Sequence, residues 1–576
     1  MAALTDRFES HEYDVVVLGA GGAGLRAAIA ASSAGCSVAL ICKSLLGKAH
    51  TVMAEGGIAA SLGNVDAADN WQVHFGDTMR GGQMINDWRM AEIFAKEVPE
   101  RVYELERWGA LFDRTPQGTI SQRPFGAHTY RRLCHVGDRT GLELIRTLQD
   151  RGVHSGIDVF MEYTTTRLLT DEGCIAGVFG YKREDGRLFL FRARSVVLAT
   201  GGFGKVYKVT SNSWESTGDG VAMAYEAGAA LRDMEMVQFH PTGMVWPPGV
   251  RGILVTEAVR GEGGLLYNAK NERFMLEYDP KKKELSSRDV VARSIYKEVQ
   301  AGRGSEHGGA YLDVTHRGAD YIKRKLPSMY EQFLHLADVD ITKERMEVAP
   351  TIHYAMGGID VEAETGATSL AGLYAAGECA AGLHGANRLG GNSLGDLLVF
   401  GKRAGEASAA YAQARATMPK ADDSQIEAEM ALLVQPFESA GQENPYLVHA
   451  ELQEIMGTHA AIARTQALAD EGLLKLQQLQ QRAQDLHVEG SRMFNPGWHT
   501  ARDDLFMLTI GEAILRTAAQ RTESRGAHWR TDYPDKDPAQ ERITYLTRKV
   551  DGNMTVEARP IPPLPPELAE LVKETA

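Results

Sequence analysis

The N-terminal part of the chain alternates between short apolar runs and segments of small residues. A β-branched run at residues 13–18 is typical of a buried parallel strand, residues 22–34 are alanine-rich with helical character, and residues 37–42 predict a second strand. These three segments predict a βαβ unit, the element from which parallel α/β sheets are built.

Later segments continue this pattern with one interruption. The polar letters "KREDG" separate two apolar runs and predict a β-hairpin, and residues 195–202 predict another buried strand that ends in glycines. Residues 236–348 are rich in Gly, Pro and charge, which predicts a separate cap inserted into the α/β domain. Residues 372–378 predict a strand with which the α/β pattern resumes.

The last part of the chain has a helical pattern. After about residue 410, apolar residues recur at spacings of three and four, which predicts a helical bundle. The proline-rich end, residues 559–572, predicts an extended segment on the surface.

Composition narrows the possible function classes. The 576 residues carry a net charge of −14, and the longest basic run is the lysines at 281–283, which argues against a nucleic-acid partner. The five cysteines form no CxxC pair, so we expect free thiols in a reducing compartment and no metal site. The most apolar N-terminal stretch, residues 15–25, is too short to cross a bilayer, so we expect a cytoplasmic chain that is not itself a membrane span.

A glycine motif links the first predicted strand to the first predicted helix. Gly19, Gly21 and Gly24 have the G-x-G-x-x-G spacing. In this position the glycines permit a tight turn and let the backbone approach a pyrophosphate at the helix N-terminus. The motif therefore predicts a dinucleotide site.

The sequence favours FAD over NAD as that dinucleotide. The acid that usually binds the adenine ribose about 20 residues further on is missing, because the second strand ends at Cys42 and Lys43. A second glycine-rich strand end at residues 198–204 and a late strand end with Glu378 are typical of flavoproteins that wrap a long FAD.

Ten motifs in family order reveal a resemblance that covers nearly the whole chain. The chain resembles the flavoprotein subunits of succinate dehydrogenase and fumarate reductase in "AHTVMAEGG", "QRPFG", "DRTG", "TGDG", "QFHPTG", "TEAVRGEGG", "SRDVVARS", "PTIHYAMGGI", "AAGECAAGLHGANRLGGNSL" and "ESRGAHWRTDYP".

The patterns and the resemblance together predict an α/β fold class. We expect a Rossmann-like FAD-binding domain with an inserted α+β capping domain, followed by a helical bundle domain and a C-terminal extension. The expected ranges are 1–240 and 351–415 for the FAD-binding domain, 241–350 for the capping domain, 416–530 for the helical domain and 531–576 for the C-terminal domain.

The resemblance gives a role to the histidine in the loop "GKAHTVMAEGG". In that family a loop histidine attacks the 8α-methyl group of the flavin and stays covalently attached, and His50 is the matching residue. The resemblance implies that this tether raises the flavin potential, as removal of hydrogen from an unactivated C–C bond requires. The alternative is a histidine that is merely hydrogen-bonded within its loop.

The resemblance also implies which residues contact FAD. The matching positions are Gly19, Ala20, Gly21, Gly22, Ala23, Gly24, Cys42, Lys43, Ser44, His50, Thr51, Glu55, Gly56, Gly57, Asp219, Glu378, Ser393 and Leu394. Asp219 in "TGDG" is expected to supply the ribose contact that is missing at Lys43.

A four-carbon dicarboxylate is the substrate that the resemblance implies. Its two carboxylates need two sets of cationic or hydrogen-bonding partners to fix the central carbons over the flavin. Arg388 can grip one carboxylate with two parallel hydrogen bonds. The matching residues are His240, Thr256, Glu257, His353 and Arg388. For either histidine alone, the alternative is a structural role.

Arg288 in "SRDVVARS" matches the residue that the family uses as proton shuttle. A C–H beside a carboxylate is a very weak acid, so an arginine side chain, with an ordinary pKa of about 12.5 to 13.8, is a chemically matched base. The resemblance implies that Glu257 and Arg260 relay protons to Arg288. The alternative is that Arg288 merely pairs with Asp289 or with a carboxylate of the cap.

The function implied is that of a succinate dehydrogenase flavoprotein subunit. Hydride passes from succinate to FAD, and electrons then pass to an iron–sulfur protein subunit, then through membrane-anchor subunits to a quinone. Because the chain has no cysteine cluster of iron–sulfur spacing and no membrane span, separate chains must supply both. We therefore expect a peripheral position on the cytoplasmic face of the inner (plasma) membrane.

Four other functions remain open. Fumarate reductase shares every residue named above and runs the reaction in the opposite direction. L-Aspartate oxidase is a fold relative with a similar cap and arginines but without a covalent flavin or membrane partners. The intact set of Arg288, His240, His353 and Arg388 argues against a non-catalytic FAD-binding scaffold, and Lys43 argues against a nicotinamide dehydrogenase.

Overall fold

A computed structural model describes residues 7–574 of the chain. The first six residues of the predicted FAD-binding domain and the last two of the predicted C-terminal domain lie outside the described residues. The strands are, in chain order, β1 Glu9–Leu18, β2 Val38–Cys42, β3 Ile58–Ala59, β4 Gln122–Arg123, β5 Leu133–Cys134, β6 Asp158–Met161, β7 Tyr163–Asp171, β8 Cys174–Lys182, β9 Leu188–Leu198, β10 Leu231–Arg232, β11 Val237–Met244, β12 Leu265–Tyr267, β13 Ala310–Asp313, β14 Met346–Ala355, β15 Gly358–Ile359, β16 Leu373–Ala375, β17 Ala463–Arg464, β18 Trp529–Arg530, β19 Ile543–Val550 and β20 Asn553–Pro560.

Helices lie between and after these strands. They are α1 Gly22–Ser33, α2 Trp71–Gly81, α3 Trp88–Arg107, α4 Thr140–Val153, α5 Asp219–Glu226, α6 Ala258–Gly261, α7 Met275–Tyr278, α8 Arg288–Gln300, α9 Ala319–Lys325, α10 Pro327–Ala337, α11 Asn392–Ala414, α12 Asp423–Glu438, α13 Pro445–His459, α14 Gln466–Arg482, α15 Pro496–Gln520 and α16 Pro566–Glu574. No helix within residues 7–574 combines the length and the apolar character that crossing a bilayer requires.

The largest sheet in the described part of the chain has the order β6-β2-β1-β9-β8-β7, with β16 also paired to β9. The predicted βαβ unit is confirmed, because β1 and β2 run parallel, with Val15 opposite Val38, and α1 connects them. Val15 and the two residues that follow it are fully buried, as expected for a parallel strand covered on both faces. Since β9 is also parallel to β1, the carboxyl ends of β1, β2 and β9 meet at one edge.

The hairpin predicted at "KREDG" is confirmed, since β8 and β9 are antiparallel neighbours. The prediction of a separate strand at residues 195–202 is wrong. The apolar part of this segment is the end of β9, which pairs with β1 from Phe189 to Leu198. The glycines of the segment form the turn that follows β9. The later strand predicted at residues 372–378 is present as β16, parallel to β9.

The segment from β11 to β14 forms a separate layer above the edge of the main sheet. Its antiparallel strands have the order β11-β14-β13-β12, and α8 packs across β11, β13 and β14. Leu266, Ile295 and Leu312 are fully buried in an apolar core that belongs to this layer. The segment therefore has more regular structure than its Gly- and Pro-rich sequence indicated, because those residues lie largely in the connections. The domain ranges themselves remain predictions.

The helical pattern predicted after residue 410 is confirmed by α12 to α15, among which α13, α14 and α15 pack on one another. Trp498 of α15 is almost fully buried, and its indole N–H donates to Leu433 O at 2.9 Å. Side chains of these helices belong to the same continuous apolar core as the main sheet. The helices therefore pack on the main sheet through a shared apolar core.

The carboxy-terminal segment forms a hairpin, β19 and β20, which joins β10 and β15 in one sheet. The prediction of an extended segment at residues 559–572 is wrong for the second half of that range, which belongs to α16. Proline lacks an N–H and is tolerated in the first turn of a helix, so Pro566 begins α16 rather than preventing it. Burial of Leu568 then fixes the helix to the rest of the protein.

Candidate active site

A long cavity opens at the carboxyl ends of β1, β2 and β9, the edge at which parallel α/β sheets bind ligands. Its empty volume is about 1620 Å³, including the part that opens to solvent. The wall extends from the turn that contains Gly19 to Arg288 and Arg388 under the cap. One cavity therefore contains both the predicted cofactor residues and the predicted substrate residues.

Nearly every residue predicted for the site lies in the cavity wall. The two exceptions are Gly24 and Arg260, which lie directly behind it. The wall contains Gly19, Ala20, Gly21, Gly22, Ala23, Cys42, Lys43, Ser44, His50, Thr51, Glu55, Gly56, Gly57, Asp219, His240, Thr256, Glu257, Arg288, His353, Glu378, Arg388, Ser393 and Leu394. The individual roles of these residues remain proposals.

The glycine motif forms the turn between β1 and α1. Gly19 has a φ of +103°, and a Cβ atom at this position would lie 2.1 Å from Ala199 O. A Cβ atom on Gly24 would lie 1.7 Å from Gly19 O, so only glycine lets the helix begin this close to the turn. The N-terminus of α1 thus lies in the cavity wall, where backbone N–H groups favour an anion such as a pyrophosphate.

Lys43 lies where a nicotinamide-binding protein has an acid. Its Nζ is 3.3 Å from Asp219 Oδ2 and 3.4 Å from Asp503 Oδ1. Burial raises the pKa of Asp219, and the charge of Lys43 opposes this effect. Asp219 therefore lies beside Lys43 in the cavity wall, and the ribose contact expected of it remains a prediction.

His50 begins a 3₁₀ turn, His50–Met53, beside the N-terminus of α1. The backbone N–H of Ser213 donates to Nδ1 of His50 at 3.3 Å, and Asn212 Nδ2 lies 3.3 Å from Nε2. Burial lowers the pKa of His50 to about 4. The imidazole is therefore neutral at pH 7, with Nδ1 accepting the hydrogen bond from Ser213.

His240 and His353 lie on the neighbouring strands β11 and β14, with their ring centres 5.1 Å apart. Nδ1 of His240 is 3.0 Å from Thr242 O, and Nδ1 of His353 is 2.9 Å from Ser211 Oγ. Burial, reinforced by the charge of Arg288, holds the pKa of both histidines well below the usual range. Both therefore act as neutral hydrogen-bonding groups at pH 7.

Two buried arginines reach this end of the cavity from different parts of the chain. Arg288 is the first residue of α8, and its Nε donates to Glu257 Oε2 at 2.8 Å. Arg388 precedes α11; its Nη1 donates to Ser393 Oγ at 2.8 Å, and its guanidinium lies 4.4 Å from the ring centre of Tyr354. Burial and the charge of Arg288 lower the pKa of Arg388 to about 9. This end of the cavity is cationic and suits an anionic ligand.

Glu257 joins Arg288 to Arg260. Its Oε2 lies 2.8 Å from Arg288 Nε and 3.5 Å from Arg260 Nη2, and its Oε1 accepts a hydrogen bond from Gly126 N at 2.8 Å. Burial opposes the charge on Glu257, but Arg260 and Arg288 outweigh it and lower the pKa of Glu257 to about 2. Arg288 thus pairs with Glu257, a carboxylate of the predicted cap that also lines the cavity, and not with Asp289; the shuttle role of Arg288 remains a prediction.

The loop that carries Arg388 rests on the carboxy-terminal part of the chain. Ala527 N donates to Ala386 O at 2.8 Å, and a Cβ atom on Gly526 would lie 2.5 Å from the same oxygen. Arg293 of α8 donates from Nη1 to Gly526 O at 3.3 Å. The motif "ESRGAHW" therefore supports the site from outside the cavity.

Two residues near the site, Gln238 and Phe125, are absent from the sequence prediction. A Cβ atom on Gly56 or Gly390 would lie 2.9 or 2.5 Å from the Phe125 ring, so this ring closes tightly over two backbone segments. Gln238 contacts both arginines of the site. The sequence signal for Gln238 is its place in the motif "QFHPTG", two residues before His240. Strand alternation gives no signal, because the register of β11 on β14 shifts between Gln238 and Phe239.

Buried polar atoms of the wall indicate the kind of ligand that fits. Within residues 7–574, several of these atoms have no hydrogen-bond partner in the protein; they include Glu55 Oε2, Thr200 Oγ1, Ser213 Oγ, Glu215 Oε2 and Arg388 Nε. An unsatisfied buried polar group costs about 1–3 kcal/mol, so such a wall fits a long polar ligand. A pyrophosphate site at one end and a cationic end beyond it fit FAD followed by an anionic substrate.

Two family models match the chain. The model described as "FAD binding domain" matches residues 14–394, and the model described as "Fumarate reductase flavoprotein C-term" matches residues 449–566. The first match covers most of the chain and includes the glycine motif, His50 and both arginines. FAD is therefore the cofactor that this fold binds.

Known proteins resemble the chain over almost its full length. It is 45% identical over 544 residues to a subunit of fumarate reductase (CoM/CoB) from Methanothermobacter marburgensis, covering 94% of this chain and 98% of that protein. It is 38% identical over 574 residues to the succinate dehydrogenase flavoprotein subunit of Rickettsia bellii, covering 96% and 95%. The solved structure of Mycobacterium smegmatis Sdh1 in complex with UQ1 superposes with a TM-score of 0.87 at 55% identity, covering 96% of this chain and 94% of that chain. The chain therefore belongs to the family of flavoprotein subunits of succinate dehydrogenase and fumarate reductase.

Proposed function

We propose that this chain oxidises succinate to fumarate as the flavoprotein subunit of a succinate dehydrogenase. The observation that carries the proposal is the pair of buried arginines, Arg288 and Arg388, which line the far end of a cavity that fits FAD. His240 and His353 add neutral hydrogen-bonding groups at the same end. Such a set suits a small diacid that carries a carboxylate at each end.

The residues divide into binding and proton-transfer groups. Arg388 binds one carboxylate, because its buried Nε lacks a protein partner within residues 7–574 and is free to donate to a ligand. His240, Thr256 and His353 hold the other parts of the substrate. Binding from several sides fixes the two central carbons, which lowers the entropic part of the barrier.

Arg288, in the neutral form left when Glu257 takes a proton from its guanidinium, removes a proton from one central carbon of succinate and becomes cationic again. FAD, when bound, accepts a hydride from the neighbouring carbon. Glu257 and Arg260 then carry the proton away from Arg288, and the distances of 2.8 and 3.5 Å around Glu257 Oε2 support this order. The bonds lost are two C–H bonds, and the product is fumarate.

We infer that FAD is attached covalently through His50. The support is the position of this neutral, buried imidazole in the cavity wall, beside the N-terminus of α1. A covalent link that raises the flavin potential would favour oxidation of succinate, since about 30 mV corresponds to roughly 1.4 kcal/mol in a two-electron couple.

The electrons need an acceptor outside this chain. We propose that the next carrier is an iron–sulfur protein subunit, with membrane-anchor subunits and a quinone beyond it, which would place the chain peripherally on the cytoplasmic face of the plasma membrane. In support, relatives are named as subunits, and one solved relative is described in complex with UQ1.

Fumarate reductase is the second candidate, because a relative that is 45% identical carries that name. The same residues serve both directions: Arg288 would then donate the proton to fumarate. An L-aspartate oxidase-like activity is a third candidate, and it differs in having neither a covalent flavin nor membrane partners.

Purification of the complete complex from membranes tests the proposal. We expect succinate-dependent reduction of a dye acceptor, fumarate reduction at a lower rate, co-purification of an iron–sulfur protein, and flavin fluorescence that stays with the denatured chain. Faster fumarate reduction would favour the second candidate. A soluble chain with dissociable flavin that oxidises L-aspartate would favour the third. No turnover of succinate or fumarate would reject the first two candidates, and no oxidation of L-aspartate would reject the third.

A further inference from the structure

Behind Arg288 and Arg388, outside the cavity wall, lie the buried side chains of Gln238, Asn387 and Asp289. Gln238 Oε1 accepts a hydrogen bond from Arg288 Nη1 at 3.0 Å and another from Arg388 Nη2 at 3.3 Å. A single neutral oxygen therefore connects the two arginines of the site.

The hydrogen bonds around Gln238 fix the direction of its amide group. Its Nε2 donates to Asn387 Oδ1 at 2.7 Å and to Arg388 O at 2.8 Å. Since both of these atoms are acceptors, the NH₂ group must face them. The carbonyl oxygen of Gln238 must then point toward the arginines.

Asn387 is itself oriented by a carboxylate. Its Nδ2 donates to Asp289 Oδ1 at 2.9 Å, and Asp289 Oδ2 accepts from Arg293 Nη2 at 2.8 Å. Because an ionised carboxylate only accepts, the NH₂ group of Asn387 faces Asp289 and its carbonyl faces Gln238. Every hydrogen bond from Asp289 through Asn387 and Gln238 to the arginines therefore has a fixed donor and a fixed acceptor.

The chemical type of the bridging residue matters for the charge of the site. Two guanidinium groups repel each other, so an acceptor between them is needed to hold both in place. A carboxylate at position 238 would do this but would cancel positive charge that the substrate needs. An amide oxygen holds both groups and leaves their charge available to an anionic ligand.

The bridge also joins separate parts of the fold. Arg288 begins α8 and Gln238 lies on β11, both in the layer above the main sheet, whereas Arg388 lies in the loop before α11. The spacing between the two arginines therefore depends on how these parts meet, and Gln238 is the shared contact.

We propose that Gln238, oriented by Asn387 and Asp289, is a positioning residue that sets the relative placement of Arg288 and Arg388 and keeps their charge available for a dicarboxylate. This inference rests on the proposed function, because its readouts are the binding and turnover of dicarboxylates.

Two variants at position 238 separate charge from placement. Gln238→Glu keeps an acceptor between the arginines but adds a negative charge, so malonate affinity should fall about 10- to 100-fold, the range expected for a charged hydrogen-bond partner. Gln238→Met keeps the size but removes the acceptor, so misplacement of Arg288 should lower kcat by about 10- to 100-fold. Calorimetric titration of the purified complex with malonate and steady-state kinetics with succinate measure the two effects.

The matched control is Gln540→Glu. Gln540 is also a buried amide, but its partners Tyr545 and Thr522 lie in the carboxy-terminal part, away from the cavity. This variant should bind malonate like the unmodified protein, whatever its effect on the unfolding midpoint. If the Gln238 variants lower only the unfolding midpoint and leave malonate affinity, KM and kcat unchanged, the inference is overturned.

An exchange of two residues tests the orientation of the bridge. Asn387→Asp alone sets two carboxylates against each other and should lower kcat/KM about tenfold or more. Combining it with Asp289→Asn restores a donor facing an acceptor, so kcat/KM should return to within about threefold of the unmodified value, a coupling that only interacting residues show. Equal losses in the single and the double variant would overturn the inference. Because the exchange leaves Gln238 unchanged, it tests the inference even if Gln238→Glu does not fold.

Failure of the inference is distinguishable from failure of the proposed function. If the unmodified complex neither binds malonate nor turns over succinate or fumarate, the proposed function is wrong and the inference is wrong with it. If the unmodified complex does both and the variants do not differ from it, only the inference is wrong.

Discussion

Glu257 and Arg288 form an ion pair in the cavity wall, with Glu257 Oε2 2.8 Å from Arg288 Nε. Both side chains are more than nine-tenths buried, and Arg260 approaches the same carboxylate oxygen. A buried carboxylate between two guanidinium groups is strongly held in its ionised form. The pair therefore fixes the position of Arg288, and the proposed proton path through Glu257 rests on this contact.

The charge of Glu257 should contribute to stability in a defined pH range. Its pKa in the folded protein, about 2, is below the ordinary 4.5, so the stabilisation is complete above pH 4.5 and is lost as pH falls toward 2. That difference corresponds to about 3 kcal/mol. Glu257→Gln should therefore lower the unfolding midpoint in urea at pH 7, and the gap between variant and unmodified protein should narrow from pH 4.5 downward. A gap that is constant with pH would contradict this assignment.

Arg288→Lys should remove most turnover while substrate analogues still bind. Lysine keeps a positive charge, but its compact ammonium group does not reproduce the fork of contacts to Glu257 and Gln238. Loss of a general acid–base group typically costs about 10²- to 10⁴-fold in rate. Rates of succinate oxidation and fumarate reduction, with calorimetry of malonate binding, measure the effect. Arg107→Lys, at an exposed position, serves as control, and retained turnover would exclude Arg288 from the chemistry.

Arg388→Ala should act mainly on binding. The guanidinium is buried and partly unsatisfied by the protein, so its removal should weaken dicarboxylate affinity by at least about 30-fold. KM for succinate and the dissociation constant of malonate should rise together, whereas kcat at saturation should change less. Ser393→Ala, which removes only one acceptor of Arg388, should give a smaller loss. Unaltered affinity would mean that other groups bind the carboxylate.

His50→Ser should leave FAD bound but no longer attached to the chain. The other residues of the cavity wall remain, so the purified complex should still contain flavin, but in-gel fluorescence of the denatured chain should be lost. Succinate oxidation should fall more than fumarate reduction, because an untethered flavin is the weaker oxidant. His154→Ser on the surface is the matched control. Equal oxidation rates with and without the tether would reject its role.

Much of the fold follows from local patterns in the sequence. The βαβ unit was predictable because β1 and β2 are short, fully apolar where they pair and separated by an alanine-rich helix. The sequence predicts two strands where the structure has the single strand β9, because an arginine-containing stretch separates two apolar runs. Both runs nevertheless pair with β1. The helix that begins at Pro566 was not predictable, because proline-rich sequence is typical of extended segments while a single proline also favours the first turn of a helix.

Many residues of the cavity wall were predicted from the family motifs, although Phe125 and the adjoining Gln238 were not, and the pairings between residues were not predictable. Arg288 and Glu257 are far apart in sequence, and Gln238 is 150 residues from Arg388. No local pattern shows that one amide oxygen serves two arginines, because this depends on how β11, α8 and the loop before α11 meet. The orientation of that amide depends further on the contact between Asp289 and Asn387, which are 98 residues apart.

The close packing of Gly526 against Ala386 gives the motif "ESRGAHW" an influence on substrate binding that its location outside the cavity does not suggest. Any larger side chain at Gly526 would push away the segment that presents Arg388, although the cavity itself would keep all of its residues. A relative could thus retain a complete set of active-site residues and still bind dicarboxylates poorly. When inactive members of this family are sought among genome sequences, the motif "ESRGAHW" should be inspected together with the residues of the cavity.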